Sequence, residues 1–247
     1  MLKLTHIIIL SLCLNFLRAE TGFYGIIDQN GKTLPDTVLL LDEDSNLVNL
    51  PYLIDKPTLI SFVYFHCQGF CNKGMEGIAE LINYCDLTIG THYQVFTISI
   101  DENENPSIAR NTKQSLLKNI NKKEAKDNWR FFTGNNENIK KLTNATGWYF
   151  VKDQTGFIHP MTTILITPKR KVSQYFYGTF YMPVHFTMAV SDAWKELSEP
   201  PRIKTLKYCY DYNSRSDRKV RSIAFGFGIL TIFAILGLFF KLSIGKR

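Results

Sequence analysis

Two cysteines separated by three residues stand between an apolar run and a helical pattern in the stretch "SFVYFHCQGFCNKGMEGIAELI", residues 61–82. When the second cysteine lies in a helix, positions four apart face the same way, so the thiols of Cys67 and Cys71 come within reach of disulfide geometry. The start of a helix also favours the thiolate, because its N–H groups and dipole stabilise negative charge. These features leave three interpretations open: a redox-active pair, two metal ligands, or a purely structural pair, either a static disulfide or two buried thiols.

A metal site needs a further ligand beside two sulfur atoms, and His159 is the candidate. It stands in "GFIHPMTTILITP", immediately before a predicted strand. Pro160 restricts its backbone to extended conformations, which suits a fixed ligand. The remaining histidines are typical of other roles: one in the N-terminal segment, one beside Cys67 but expected to point to the opposite side, and two ordinary surface or half-buried residues (His6, His66, His92 and His185).

The elements that must position these residues alternate between strands and helices. The apolar runs "PTLISFVYF" and "YQVFTISID" predict strands buried on both faces, and the spacing of apolar residues between them predicts a helix. The full order is a β-hairpin, β, α, β, α, short β, α, β, β, α. This order predicts an α/β thioredoxin-like fold with an N-terminal β-hairpin extension, a mainly parallel central sheet and an antiparallel edge. In such a fold the loop that carries His159 packs against the cysteine pair.

The two ends of the chain indicate export and a membrane anchor. A short basic start, an apolar run and a small residue predict a signal peptide over residues 1–19, with an uncleaved N-terminal anchor as the alternative. Residues 222–242 hold about 20 uncharged positions, the length of a transmembrane helix. Between them lie a domain over residues 20–201 and a charged juxtamembrane tether over 202–221. The signal peptide places the domain outside the cytoplasm and the basic tail, 243–247, inside.

The charge distribution excludes a nucleic-acid-binding role. The chain has a net charge of +7, but residues 202–247 alone contain ten Lys or Arg and two Asp or Glu. The basic charge therefore lies next to the predicted membrane segment, where it meets anionic headgroups. The domain over residues 20–201 is mildly acidic and has no basic face for phosphate.

Several stretches, in the same order, resemble the Sco/SenC family of copper-binding cytochrome c oxidase assembly proteins. They are "VYFHCQGFC", "VFTISIDENENP", "NWRFFTGNNENIKKLTNATGWYF", "HPMTTILITPKRKVSQYFYG" and "KYCYDYN", and the resemblance covers roughly residues 23–212. The resemblance implies a thioredoxin-like fold and copper, as Cu(I) or Cu(II), bound by Cys67, Cys71 and His159. It also implies subunit II of the oxidase, or its assembly factors, as partners. The closest likeness is to bacterial members with a C-terminal anchor, which implies the cytoplasmic membrane with the domain on the periplasmic side.

Two functions are predicted, a carrier of copper and an enzyme, and the sequence leaves open which of the two the protein has. The first is a membrane-anchored copper metallochaperone, since two thiolates and an imidazole form a soft set suited to Cu(I) and able to hold Cu(II). The alternative is a membrane-anchored thiol-disulfide oxidoreductase that uses Cys67 and Cys71 as a redox-active pair without copper. A copper sensor is a third hypothesis, but the chain has no recognisable output domain. Gln68 and Asn72 stand where family members commonly have proline, which bears on loop stiffness and redox potential.

The roles of three residues outside the ligand set can also be predicted: Asp101 and Cys209 each have alternative roles, and Cys85 has one. Asp101, at the end of the second buried strand, either supports the ligands from behind or caps the strand end. Cys85 lies on the apolar face of its helix and is predicted to belong to the core. Cys209, about a dozen residues before the predicted anchor, either relays copper or bridges to another chain, or packs in an aromatic-rich segment.

Overall fold

The computed structural model describes residues 23–66, 70–153 and 156–198, together with a few helical positions between 226 and 237. The predicted signal peptide, tether and tail, and most of the predicted anchor, lie outside the described residues. Within the described parts of the chain, no helix is long and apolar enough to cross a membrane. The boundaries of these terminal segments therefore stay predictions.

The described residues form a mixed α/β fold around a seven-stranded central sheet. The sheet order is β11-β10-β4-β5-β6-β2-β3, and two short two-stranded sheets, β1-β7 and β8-β9, accompany it. The strands are β1 Gly25–Ile26, β2 Leu39–Asp42, β3 Leu47–Asn49, β4 Thr58–Val63, β5 Gln94–Ser99, β6 Trp129–Thr133, β7 Trp148–Tyr149, β8 Val151–Asp153, β9 Gly156–Ile158, β10 Thr162–Ile166 and β11 Val172–Tyr177. The α-helices are α1 Phe70–Tyr84, α2 Pro106–Leu117, α3 Ala125–Asn128, α4 Asn136–Ala145 and α5 Pro183–Trp194.

The prediction of a mainly parallel sheet is wrong in its proportions. Strands β4, β5 and β6 are parallel neighbours, as expected for strands joined through helices. The other four pairings of the central sheet are antiparallel, because hairpins flank the parallel strands on both sides. The predicted N-terminal hairpin, β2-β3, is confirmed, and it continues the central sheet by pairing with β6.

The two predicted interior strands are confirmed as buried on both faces, and each face has its own core. All six residues of β4 and all six of β5 are buried. Because side chains alternate along a strand, Leu59 and Val63 join one apolar cluster while Ile60 and Phe62 join the other. Helices α1, α2 and α5 contribute to the first cluster, and α4 contributes to the second. The sheet therefore carries helices on both sides.

A buried ion pair ties α2 to the turn that directly follows the hairpin strand β2. Lys113 Nζ lies 2.5 Å from Glu43 Oε1, and both side chains are only 11% exposed. The second oxygen of Glu43 accepts the backbone N–H of Phe131 at 3.0 Å. One turn away on the same helix, Arg110 pairs with Asp44 at 3.1 Å in an exposed position. The two pairs thus differ mainly in burial.

Candidate metal centre

The cysteine pair stands at the junction between β4 and α1. Strand β4 ends at Val63 and helix α1 begins at Phe70, so Cys71 lies in the first turn of the helix. Cys67 lies outside the described residues, as does the side chain of Cys71. The helical second half of the motif is confirmed, and this is the condition under which two cysteines four positions apart converge. Their role as ligands stays a prediction.

His159 is placed by a small hairpin that the sequence analysis did not predict. Strands β8 and β9 pair as an antiparallel hairpin, and His159 follows directly after Ile158 at its end. The centroid of the imidazole ring lies 5.5 Å from the centroid of the Trp148 ring, at an interplanar angle of 30°. It lies 6.4 Å from the centroid of the Tyr64 ring, at an interplanar angle of 87°. Trp148 is fully buried. The hairpin and these aromatic rings therefore fix the direction in which His159 points.

The surroundings of His159 favour a neutral imidazole of one tautomer. Burial lowers the pKa of His159 because desolvation disfavours the imidazolium, and a hydrogen bond to the Pro160 carbonyl partly opposes this shift. The ring Nδ1 lies 3.2 Å from that carbonyl oxygen, which can only accept, so Nδ1–H is the donor. This tautomer places the ring lone pair on Nε2, the atom that a metal ion would use.

His159 faces the helix that carries Cys71. A shallow pocket is lined by His159, by residues 160–163 and by Gly74, which is three positions after Cys71 in α1. A Cβ at Gly74 would lie 3.3 Å from the Cε of Met161, so the helix and the loop are already in contact there. The His159 loop therefore approaches the first half of α1, the helix that carries Cys71, and its packing against the cysteine pair itself stays a prediction.

Glu104 is a residue of this region that the sequence analysis missed. Its carboxylate accepts the backbone N–H groups of Phe65 and His66 at 2.9 and 2.8 Å, directly before Cys67. Glu104 is only 5% exposed although it is charged. In sequence it stands in "ENENP", which has the composition of an exposed acidic loop, so no local signal marks it as buried.

Asp101 caps its own turn, as one of its two interpretations predicted. Its Oδ1 accepts the backbone N–H and the side-chain amide of Asn103 at 3.1 and 2.7 Å. The prediction that Cys85 belongs to the core is confirmed: it is 2% exposed and its Sγ lies 3.6 Å from the hydroxyl of Thr187. Cys209 lies outside the described residues.

Two of the other described histidines, His92 and His185, contact groups away from the pocket. The Nδ1 of His92 accepts the backbone N–H of Thr88 at 3.0 Å. The Nε2 of His185 lies 2.7 Å from the side-chain amide nitrogen of Gln174, and burial lowers the pKa of His185. Among the described side chains, no group of three or more His, Cys, Asp or Glu lies close enough to hold a metal ion. Of the predicted ligands, only the side chain of His159 falls within that part of the chain.

A mixed central sheet, a Cys-x-x-x-Cys motif at a strand-to-helix junction and a histidine before β10 together are consistent with a thioredoxin-like domain. Residues 28–191 match the family model described as SCO1/SenC. Because this match covers more than half of the chain, the protein belongs to the SCO1/SenC family.

Solved structures of low sequence identity share the fold. A protein from Aquifex aeolicus aligns with a TM-score of 0.61 and 23% identity, over 67% of this chain and 95% of its own. A SCO1/SenC family lipoprotein from Bacillus anthracis gives 0.54 and 21%, over 68% and 96%. ScoI from Arabidopsis thaliana, solved with copper bound, gives 0.51 and 18%, over 67% and 98%. No curated protein matches the chain in sequence.

Proposed function

We propose that this protein is a membrane-anchored copper metallochaperone that supports assembly of the copper centre of cytochrome c oxidase. Cys67, Cys71 and His159 are the proposed copper ligands. The observation that carries the proposal is the pocket shared by His159 and Gly74, three residues after Cys71, in a chain of the SCO1/SenC family. The copper-bound ScoI of Arabidopsis thaliana supports the choice of metal.

The donor set suits copper as a cargo that is bound and then released. Two thiolates and one imidazole form a soft set that prefers Cu(I) and tolerates Cu(II). The neutral imidazole of His159, with its lone pair on Nε2, is in the state that a metal ion requires. Cys71 lies in the first turn of α1, where the helix dipole favours the thiolate. Copper is then passed on by exchange of these ligands for those of the acceptor.

The acceptor is proposed to be subunit II of cytochrome c oxidase or one of its assembly factors. The reduced cysteine pair can also prepare such an acceptor. One thiolate attacks a disulfide of the partner, a mixed disulfide forms, and the second cysteine displaces the partner's thiol. The partner's disulfide is thereby reduced by two electrons, and Cys67 and Cys71 are oxidised to a disulfide.

The protein is proposed to reside in a bacterial cytoplasmic membrane with its domain on the periplasmic side. Residues 222–242 would form a single C-terminal anchor, and residues 1–19 would direct export. In the described part of that segment, the large apolar side chains of Ile229, Ile232 and Leu236 are exposed rather than packed on the domain. Exposed apolar residues on a helix support a location in lipid.

Copper binding by the purified full chain tests the proposal. The chain, reduced and kept in mild detergent without oxygen, is loaded with Cu(I) and its bound metal is measured. We expect about one copper per chain, weaker binding for His159→Ala, and no binding for the double variant Cys67→Ser with Cys71→Ser. His92→Ala is the matched control, because His92 contacts the backbone of Thr88 away from the pocket.

Two outcomes would contradict the copper proposal. Wild-type binding that survives both the histidine and the double cysteine changes would mean that copper binds elsewhere. A chain that binds no copper but reduces a partner's disulfide, with His159→Ala fully active, would instead establish the thiol-disulfide oxidoreductase.

A further inference from the structure

The backbone that leads from β4 into the cysteine motif is held by a side chain rather than by a neighbouring strand. At the end of β4, the Val63 carbonyl accepts a hydrogen bond at 2.8 Å from the backbone N–H of Ile100, the residue that follows β5. Two residues further on, the N–H groups of Phe65 and His66 point at the carboxylate of Glu104. Cys67 follows His66 directly.

Both oxygens of this carboxylate are used. Oε2 accepts the Phe65 N–H at 2.9 Å and the Ser99 hydroxyl at 2.6 Å. Oε1 accepts the His66 N–H at 2.8 Å and contacts the His66 ring Nδ1 at 2.9 Å. The Glu104 side chain is 1% exposed, whereas that of His66 is 65% exposed. A buried carboxylate that receives several hydrogen bonds keeps a fixed position, since every lost bond would leave a buried polar group unpaired.

We propose that Glu104 is a positioning residue for Cys67: it fixes the backbone of residues 65 and 66 and thereby the point from which the Cys67 thiolate reaches the metal. This inference rests on the proposed copper-binding function. The backbone N–H of Phe65 is buried and requires an acceptor, and Glu104 supplies it from a chain segment 39 residues away. The turn after β5 and the cysteine motif are thereby linked.

The substitution Glu104→Gln separates this role from simple packing. Glutamine has nearly the same size, but it has one oxygen instead of two and an NH2 group that donates. One end of its amide would therefore face N–H or O–H donors without accepting from them. Glu102→Gln is the matched control, because Glu102 lies in the same turn and is exposed.

The experiment compares the full-length wild type, Glu104→Gln and Glu102→Gln in two conditions. In the metal-free reduced chain, hydrogen exchange of the Phe65 and His66 amides and the relative alkylation rates of Cys67 and Cys71 are measured. In the copper-loaded chain, the dissociation constant and the copper–thiolate absorption spectrum are measured. For Glu104→Gln we expect faster exchange, a changed ratio of alkylation rates, an altered spectrum and copper binding weaker by about tenfold or more. Glu102→Gln is expected to match the wild type throughout.

The two conditions distinguish failure of this inference from failure of the proposed function. A folded Glu104→Gln chain with the wild-type alkylation ratio, spectrum and affinity would overturn the positioning role. A wild type without copper binding would overturn the function, while the metal-free measurements would still decide whether Glu104 positions Cys67. If Glu104→Gln fails to fold, Ser99→Ala, which removes one donor to Oε2, replaces it. It is then expected to shift the same quantities in the same direction by a smaller amount, and no shift would count against the inference.

Discussion

The packing of helix α1 against the loop after β11 can be tested with a single methyl group. A Cβ at Gly77 would lie 1.8 Å from the backbone oxygen of Thr179. Real Cβ atoms essentially never come closer than 3.0 Å to another atom, so the helix and the loop would have to separate by at least 1.2 Å. The neighbouring residue Gly178 lines the His159 pocket, so the strain falls beside the proposed site. We predict that Gly77→Ala destabilises the fold.

The magnitude follows from two opposing contributions. Alanine in place of glycine within a helix stabilises it by about 1 kcal/mol. Forcing an extra methyl group into a packed contact costs about 1–3 kcal/mol, towards the upper end here because the opposing atom belongs to the backbone. The net change for Gly77→Ala is therefore a loss of about 1–2 kcal/mol. For a domain of this size such a loss lowers the melting temperature by about 2–8 °C.

Gly74→Ala is the matched control, because it lies in the same helix and gains the same helix propensity. Its Cβ would meet only the flexible end of Met161, at 3.3 Å, so we expect its stability to be unchanged or raised by up to about 1 kcal/mol. Thermal unfolding of the two full-length variants, followed by far-ultraviolet circular dichroism, makes the comparison. A Gly77→Ala protein as stable as Gly74→Ala would refute the close approach of α1 and Thr179.

Three further predictions concern other contacts of the fold. Lys113→Met is expected to destabilise the protein by about 3–5 kcal/mol, because it leaves the Glu43 carboxylate buried without its cation. Arg110→Met, in the exposed pair, is expected to cost at most about 1 kcal/mol. Urea unfolding compares the two variants, and equal losses of stability would contradict the role of burial. Burial lowers the pKa of His185 in the folded state, so the contribution of this histidine to stability is present above the unfolded pKa of about 6.5 and is lost as pH falls below that value. His185→Gln is expected to flatten the dependence of stability on pH in this range, and an unchanged dependence would contradict the prediction. The Cys85 thiol is expected to resist alkylation in the native protein and to react after unfolding. Mass spectrometry of the labelled chain measures this, and fast labelling of the native protein would place Cys85 outside the core.

The strands and helices that build the core were predictable because each one carries its own burial pattern. Strands β4 and β5 are continuous apolar runs with β-branched residues, and both are buried on both faces. Helix α1 repeats apolar residues at helical spacing, and Met75, Ile78 and Ile82 are buried as expected. The cysteine motif and the later histidine could also be singled out, because their residue types and their places beside these elements are given by the sequence.

The antiparallel edge formed by β10 and β11 is confirmed, whereas the number of antiparallel pairings in the central sheet and the small hairpin before His159 were not predictable in the same way. Strand β10 could pair in parallel or antiparallel with β4 without changing its apolar pattern, and the structure makes it antiparallel. Strands β8 and β9 have three residues each, too few for a reliable period. Their pairing nevertheless decides where His159 stands relative to Trp148 and Tyr64.

The sequence by itself determined the residue types of the proposed site, two cysteines and a histidine, and the elements that flank them. Only the tertiary structure decided that the His159 loop lies against α1 and that Glu104 binds the backbone before Cys67. The physical reason is that periodicity records how an element buries its own faces, over spacings of two to four residues. A contact such as that between Phe65 and Glu104 joins residues 39 positions apart, and it exists only because the parallel pairing of β4 and β5 brings their carboxyl ends to the same edge of the sheet.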